Sequence, residues 1–200
     1  MDPYSVFPDP KIDPRGDIAK KFMDLGIASF GAACAYVHNL PYGYNSNRDD
    51  IMVLFKEGHG SCTTKHAVIA TLARELGLAI EKNIGIYAMT EELVTGTAAI
   101  LGARALPYLP MIHCFLAYDR FRVDLTEGNA NGKNGPIDQL LYSAPVDPNI
   151  SAKQEYLIYR NALKDTITTV SGLDRKRHAA VPAYRRTGVV GSGPLTTHFV

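Results

Sequence analysis

Cysteine is scarce in this chain: Cys34, Cys62 and Cys114 are the only three among 200 residues. An odd, sparse set is unlike the paired framework of a small secreted domain, so free thiols in a reducing cytoplasm are expected. Surplus charge is missing too, with 21 Lys and Arg against 20 Asp and Glu. Without a global field, neither nucleic acid nor a membrane surface is an expected partner. No apolar run approaches the roughly 18 residues of a membrane span. The acidic, proline-rich start, MDPYSVFPDPKIDPRGD, does not resemble a signal peptide. Repeats and low-complexity tracts are absent. What is present, 46% hydrophobic and 20% charged residues, suits one globular domain able to bury a core.

Hydrophobic spacing organises the chain. Ile18, Phe22, Leu25, Phe30, Ala33, Cys34 and Val37 recur at three- and four-residue steps, which predicts one helix over residues 17–38. A polar loop at 44–50 and a short apolar run at 51–55 follow. A second helix begins near Cys62, with Val68, Ile69, Leu72, Ala73 and Leu76 as its core face and Gly77 as its stop. Strands are expected at 80–87, 111–118 and 121–125, and residues 89–110 read as an insertion with a small helix around 98–103. Residues 137–142 read as a short helix. Ser151 suits the N-cap of a last helix to about 168, with Tyr156, Leu157, Tyr159, Leu163 and Ile167 available to the core. Helices first and strands afterwards imply an α+β fold over residues 1–172, with 173–200 as a basic, flexible tail.

Residues 57–77 carry the chemical interest. Glycine-punctuated sequence hands Cys62 to the first turn of an apolar helix. Partial positive charge and unsatisfied N–H groups at a helix N-terminus favour thiolate over thiol. A fall of about one or two pKa units decides whether such a cysteine is a nucleophile. A thiolate nucleophile needs an imidazole to carry protons and a third group to fix that ring. His113 and Asp124 lie on adjacent strand candidates. If Asp119 and Arg120 form a two-residue turn, Tyr118 pairs with Phe121 and His113 faces Thr126; a four-residue turn pairs His113 with Asp124 directly. In either register the alternation of side chains puts His113 and Asp124 on one face. Alone, each of these residues is more often a core or strand-end group than a catalyst. Together they meet three separate requirements.

The order of these residues resembles the transglutaminase-like superfamily. Gly60-x-Cys62 opens an apolar helix ending at Gly77, a strand follows, and His113 and then Asp124-Leu125-Thr126 come after it, over roughly residues 18–126. The resemblance implies a papain-related core, with the nucleophile at the N-terminus of a central helix packed on an antiparallel sheet. It makes Cys62 the nucleophile, His113 the base and Asp124 the orienter. The chain departs from the family pattern in having no tryptophan, with Thr63 and Phe115 in the corresponding vicinity. Such a site would act on a peptide or other amide through a thioester, with no cofactor. The Cys62 N–H is one expected oxyanion donor. Tyr44 or Asn45, with Tyr42 behind them, is expected to supply the second. Gly58 and Gly60 are expected to leave the backbone beside the thiol open to substrate. Residues 89–110 are the expected substrate-selecting element, with Glu91, Glu92 and Arg104 as its charged members.

Two rival readings use the same residues. His59, Cys62, His66, His113 and Cys114 offer zinc ligands, but the paired C-x-x-C element is missing. Strand alternation also sends His113 and Cys114 to opposite faces. His66 is expected instead to be a buried polar residue supporting the Cys62 helix. The other rival is a binding module that has kept the fold and lost the chemistry.

Overall fold

Residues 2–171 are described by a computed structural model. The basic segment 173–200 lies outside them. The fold is α+β: six α-helices and a four-stranded antiparallel sheet are found among the described residues. In chain order the elements are α1 (Asp17–Asp24), α2 (Phe30–Asn39), α3 (Val53–Glu57), α4 (Cys62–Glu75), β1 (Glu81–Met89), α5 (Thr97–Arg104), β2 (Leu109–Tyr118), β3 (Phe121–Val123), β4 (Tyr142–Pro145) and α6 (Ala152–Ser171). No described helix is long and apolar enough to cross a membrane.

The single helix expected over 17–38 is two. Gly26 takes a left-handed φ of 74°, and Ile27 N–H bonds back to Phe22 C=O at 2.9 Å, closing α1. Ser29 then caps α2 by accepting Ala32 N–H. Glu75, at the far end of α4, caps α1 by accepting Ile18 and Ala19 N–H at 3.1 and 2.7 Å. A continuous apolar stripe therefore belongs to two helices wrapped on a third. Ile18, Phe22, Phe30, Ala33, Cys34 and Val37 pack with Val68, Ile69 and Leu72 of α4.

Helix α4 is central and buried along most of its length, so its polar first turn is inside the protein. Gly77, with φ 72°, ends it, and Leu78 N–H bonds to Ala73 C=O at 2.8 Å. The sheet order is β3-β2-β1-β4. Tyr118 pairs with Phe121 across the Asp119-Arg120 turn, as the two-residue reading requires. Leu116, Val123 and Leu125 join the core formed with α4, while Tyr87 and Phe115 pack with Ile137 and Leu140.

Residues 137–142 are not helical. Ile137 and Leu140 are drawn into contact with Phe115 and Tyr87, and Leu141 N–H bonds to Ile86 C=O at 2.6 Å, leading into edge strand β4. Local periodicity loses here to tertiary burial. The last helix begins as expected. Ser151 Oγ accepts Gln154 N–H at 3.2 Å, and Gln154 Oε1 accepts Ser151 N–H at 3.2 Å, a reciprocal capping box. Its inner face differs, because Tyr156 and Leu157 are exposed while Glu155 and Ala162 are buried. The Glu155 carboxylate is acceptable inside because Arg48 Nη1 reaches it at 2.8 Å and Thr63 Oγ1 at 3.3 Å.

Candidate active site

Local sequence places the thiol. Gly58, with φ 68°, ends α3, and Ser61 enters α4 in extended conformation without a side-chain cap. The first N–H groups of α4 are thus left for an anion, and Cys62 is the first helical residue. Cys114, which shares a buried cluster with it, and the His113 ring are the neighbours that act on its thiol. The Cys114 bond leads, and together with the His113 charge it outweighs burial, holding the Cys62 thiol well below its ordinary range. Cys114 keeps its proton: its own thiol is pushed well up by that same bond and by burial.

His113 lies between thiol and carboxylate. Its Nε2 is 2.7 Å from Asp124 Oδ2, which leaves Nδ1 for the Cys62 sulfur. Burial alone would depress the imidazole, but the Asp124 and Cys62 charges prevail and raise it to about 9. Asp124 is buried as well, yet the His113 charge and hydrogen bond hold it far below the usual carboxylate range. The second Asp124 oxygen accepts Thr126 N–H at 2.8 Å and Thr126 Oγ1–H at 2.7 Å. Asn131 Nδ2 bonds to Thr126 C=O at 2.8 Å and anchors that turn. The orienting carboxylate is therefore fixed from both sides.

His66 braces the same parts from behind. Its Nδ1–H donates to Cys62 C=O at 2.7 Å, and its Nε2 accepts Leu125 N–H at 2.8 Å. These partners define a neutral ring, and burial drives its pKa down to about 4. The 3.5 Å approach of Nε2 to Asp124 is thus no ion pair at neutral pH. With both nitrogens engaged, His66 has no lone pair to offer a metal. Both nitrogens of His59 are likewise taken, by Glu57 C=O at 3.0 Å and Tyr44 C=O at 3.2 Å. No described group of three or more His, Cys, Asp or Glu side chains is arranged to hold a metal ion. Strand alternation does not, however, keep Cys114 from the site, since neighbours His113 and Cys114 both reach Cys62.

The expected oxyanion residues divide differently. Asn45 has no hydrogen to spare, because Nδ2 donates to Glu57 Oε2 at 2.8 Å and to His59 C=O at 2.9 Å, while Oδ1 accepts Thr64 Oγ1–H. It shapes the loop. Tyr44 is 85% exposed. Tyr42 is half-buried on the loop that bridges to Gly60. Burial first, and the Cys62 charge next, push its hydroxyl up, so it stays a neutral donor. Gly60 is not open to substrate: a Cβ there would lie 2.4 Å from Leu54 Cδ1 and 2.7 Å from Thr64 Oγ1. Its place is structural. Gly60 bridges to Tyr42 in parallel, with Gly60 N–H on Pro41 C=O at 3.1 Å and Gly43 N–H on Gly60 C=O at 3.3 Å. That bridge ties the Tyr42 loop to the entrance of α4.

Tyr87 was not singled out by sequence, and only its position on a strand beside β2 could have suggested it. Its ring stands perpendicular to His113 at 6.4 Å, and burial followed by the Cys62 charge pushes its hydroxyl up to about 12. It also lines a cleft of about 580 Å³ with Thr90, Glu92, Leu93 and Ile137. Of the charged residues in 89–110, Glu92 lines this cleft. Glu91 instead caps Gly96 and Ala98 N–H, and Arg104 is exposed at the end of α5. Comparison with known proteins finds no family model, no curated protein and no solved structure that matches this chain.

Proposed function

We propose that this protein is a cysteine-dependent acyl-transfer enzyme with a papain-related, transglutaminase-like core, hydrolysing an amide or peptide bond through a thioester. One observation carries the reading: His113 Nε2 is 2.7 Å from Asp124 Oδ2, and the charge of the same ring acts on Cys62 at the N-terminus of a buried helix. Thiolate and imidazolium coexist because the thiol is held low while the ring is held at about 9. The Cys62 sulfur attacks the carbonyl carbon, and the carbonyl π electrons move to oxygen. Cys62 N–H and the Tyr42 hydroxyl stabilise that oxyanion. On collapse the C–N bond breaks and His113 Nδ1–H protonates the departing nitrogen, leaving a thioester. Water, deprotonated by the now neutral His113, attacks the thioester, and the thiolate and imidazolium are restored.

Water is the favoured acceptor because hydrolysis requires no second amine site. The cleft at Tyr87 supplies room for substrate flanking the scissile bond. Three free thiols suit a reducing, cytoplasmic setting.

The pH dependence of iodoacetamide alkylation tests the assignment. Cys62 is expected to react at a rate that is already level near neutrality, and His113→Ala to move its titration upward, toward the ordinary thiol range. If Cys62 titrates there in the unaltered protein and ignores His113→Ala, the catalytic reading is wrong.

A further inference from the structure

Cys114 makes and breaks no bond in the reaction above, yet it packs with the nucleophile and helps to hold its thiol low. Cys62, Ile84 and Cys114 form one buried cluster, closed by Ile158 of α6. Cys114 is 0% exposed and Cys62 7%, so a small oxidant from solvent meets Cys62 first. Both residues sit on core elements, α4 and β2, which hold them side by side in that cluster. A thiol beside the nucleophile brings redox chemistry that an apolar side chain would lack. Cys34 offers a contrast, since it is buried in a different cluster between α1, α2 and α4.

We propose that Cys62 and Cys114 are a peroxide-sensitive pair, in which hydrogen peroxide oxidises Cys62 and Cys114 converts the product into a reversible disulfide that switches the nucleophile off. In the first step the Cys62 thiolate attacks one peroxide oxygen. An S–O bond forms, the O–O bond breaks, and hydroxide leaves as water with the proton of His113. In the second, the Cys114 sulfur attacks Cys62 sulfenic sulfur. The S–S bond forms, the S–O bond breaks, and hydroxide leaves as water with the Cys114 proton. Two thiols and one peroxide become a disulfide and two waters, the sulfurs losing two electrons and the peroxide gaining them. Thiolate character and access make Cys62 the first target. Thr63 Oγ1, which donates to Glu155 at 3.3 Å, lies 3.7 Å from the Cys114 sulfur and fixes its surroundings.

This inference rests on Cys62 being the activated thiolate, so the experiment reads the two ideas separately. Full-length protein is treated with stoichiometric hydrogen peroxide, alkylated, digested with trypsin and analysed by mass spectrometry, with and without dithiothreitol. The expected product is a disulfide between the tryptic peptides 57–65 and 105–120, with Cys34 alkylated in full and both partners recovered by dithiothreitol. In Cys114→Ser the same treatment is expected to carry Cys62 to sulfinic acid, which dithiothreitol does not reverse. If unaltered Cys62 alkylates rapidly at neutral pH but peroxide gives its sulfinic acid while Cys114 stays alkylatable, the pairing is wrong and the catalytic reading stands. If Cys62 alkylates no faster than Cys34, the activated-thiolate reading fails and the pairing fails with it.

Discussion

His66 Nδ1 lies 2.7 Å from the carbonyl oxygen of Cys62, so the residue that carries the nucleophile is held by an imidazole one turn later. The other nitrogen of the same ring holds Leu125, next to the orienting Asp124. One neutral, buried side chain therefore registers the nucleophile helix against the strand end that bears the carboxylate. Protonation would put a second donor against Leu125 N–H and destroy that bond.

Acid stability should depend on His66. Its folded pKa, about 4, lies below the ordinary value of 6.5, so the unfolded chain binds the proton first. Stability is full above about 6.5 and falls as pH drops toward 4, by about 3 kcal/mol at 1.4 kcal/mol per pKa unit. His113 acts in another window. Raised to about 9, its contribution is complete below 6.5 and is lost as pH climbs through 9. Denaturant unfolding between pH 7 and 4.5 should therefore show a steep slope that His66→Asn flattens. Equal slopes in the two proteins would assign the acid lability elsewhere.

Asp124→Asn removes the charge that holds His113 up, and the imidazole pKa should fall below its present value of about 9. The thiolate–imidazolium pair then weakens at neutral pH. Alkylation of Cys62 at pH 7 should slow roughly 10-fold or more, and amide turnover should fall about 10²- to 10⁴-fold. NMR titration of the His113 ring gives the direct reading, and an unchanged pKa would remove Asp124 from the orienting role.

The phenols should separate cleanly. Tyr42→Phe keeps the ring but loses the hydroxyl donor, so kcat should drop about 10²- to 10³-fold. Cys62 alkylation should be nearly unchanged, because that reaction develops no oxyanion. Tyr44→Phe, at an 85% exposed site, should change kcat less than 3-fold or so, as surface changes usually do. Equal losses in both variants would argue against a specific Tyr42 contact.

Gly60→Ala tests the bridge to the Tyr42 loop. The added methyl would lie 2.4 Å from Leu54 Cδ1 and 2.7 Å from Thr64 Oγ1. Leu54 is fully buried, so it cannot simply swing into solvent. Overpacking of this kind costs about 1–3 kcal/mol, which chemical denaturation at pH 7 would register as a lower midpoint. An unaltered midpoint would mean that the neighbours give way freely.

Much of the site was legible because its signals are local. Side-chain alternation needs only the length of the Asp119-Arg120 turn to bring His113 and Asp124 to one face, and the Tyr118–Phe121 pair supplies that length. Glycines mark ends of helices through their own φ, as Gly77 does. Asn45 is illegible in the sequence for the opposite reason. A polar side chain near a cysteine looks like an oxyanion donor until its two hydrogens are traced to Glu57 and His59, 12 and 14 residues onward. The burial of Glu155 is invisible in the sequence because its partner Arg48 lies 107 residues away.

Local sequence is enough to fix where helix α4 starts and stops, that Cys62 sits in its first turn, and that His113 and Asp124 turn to one side. Each follows from backbone rules acting over a few residues: the conformational freedom of glycine, the orphan N–H groups of a helix start, the period of a strand. Only the tertiary structure decided which groups touch the thiol. Cys114 packs with it, its charge acts on the Tyr42 and Tyr87 hydroxyls, and His66 fixes the turn that carries it. Those relationships depend on how a buried helix is seated on a sheet, where small shifts exchange one hydrogen-bond partner for another, and no local pattern encodes them.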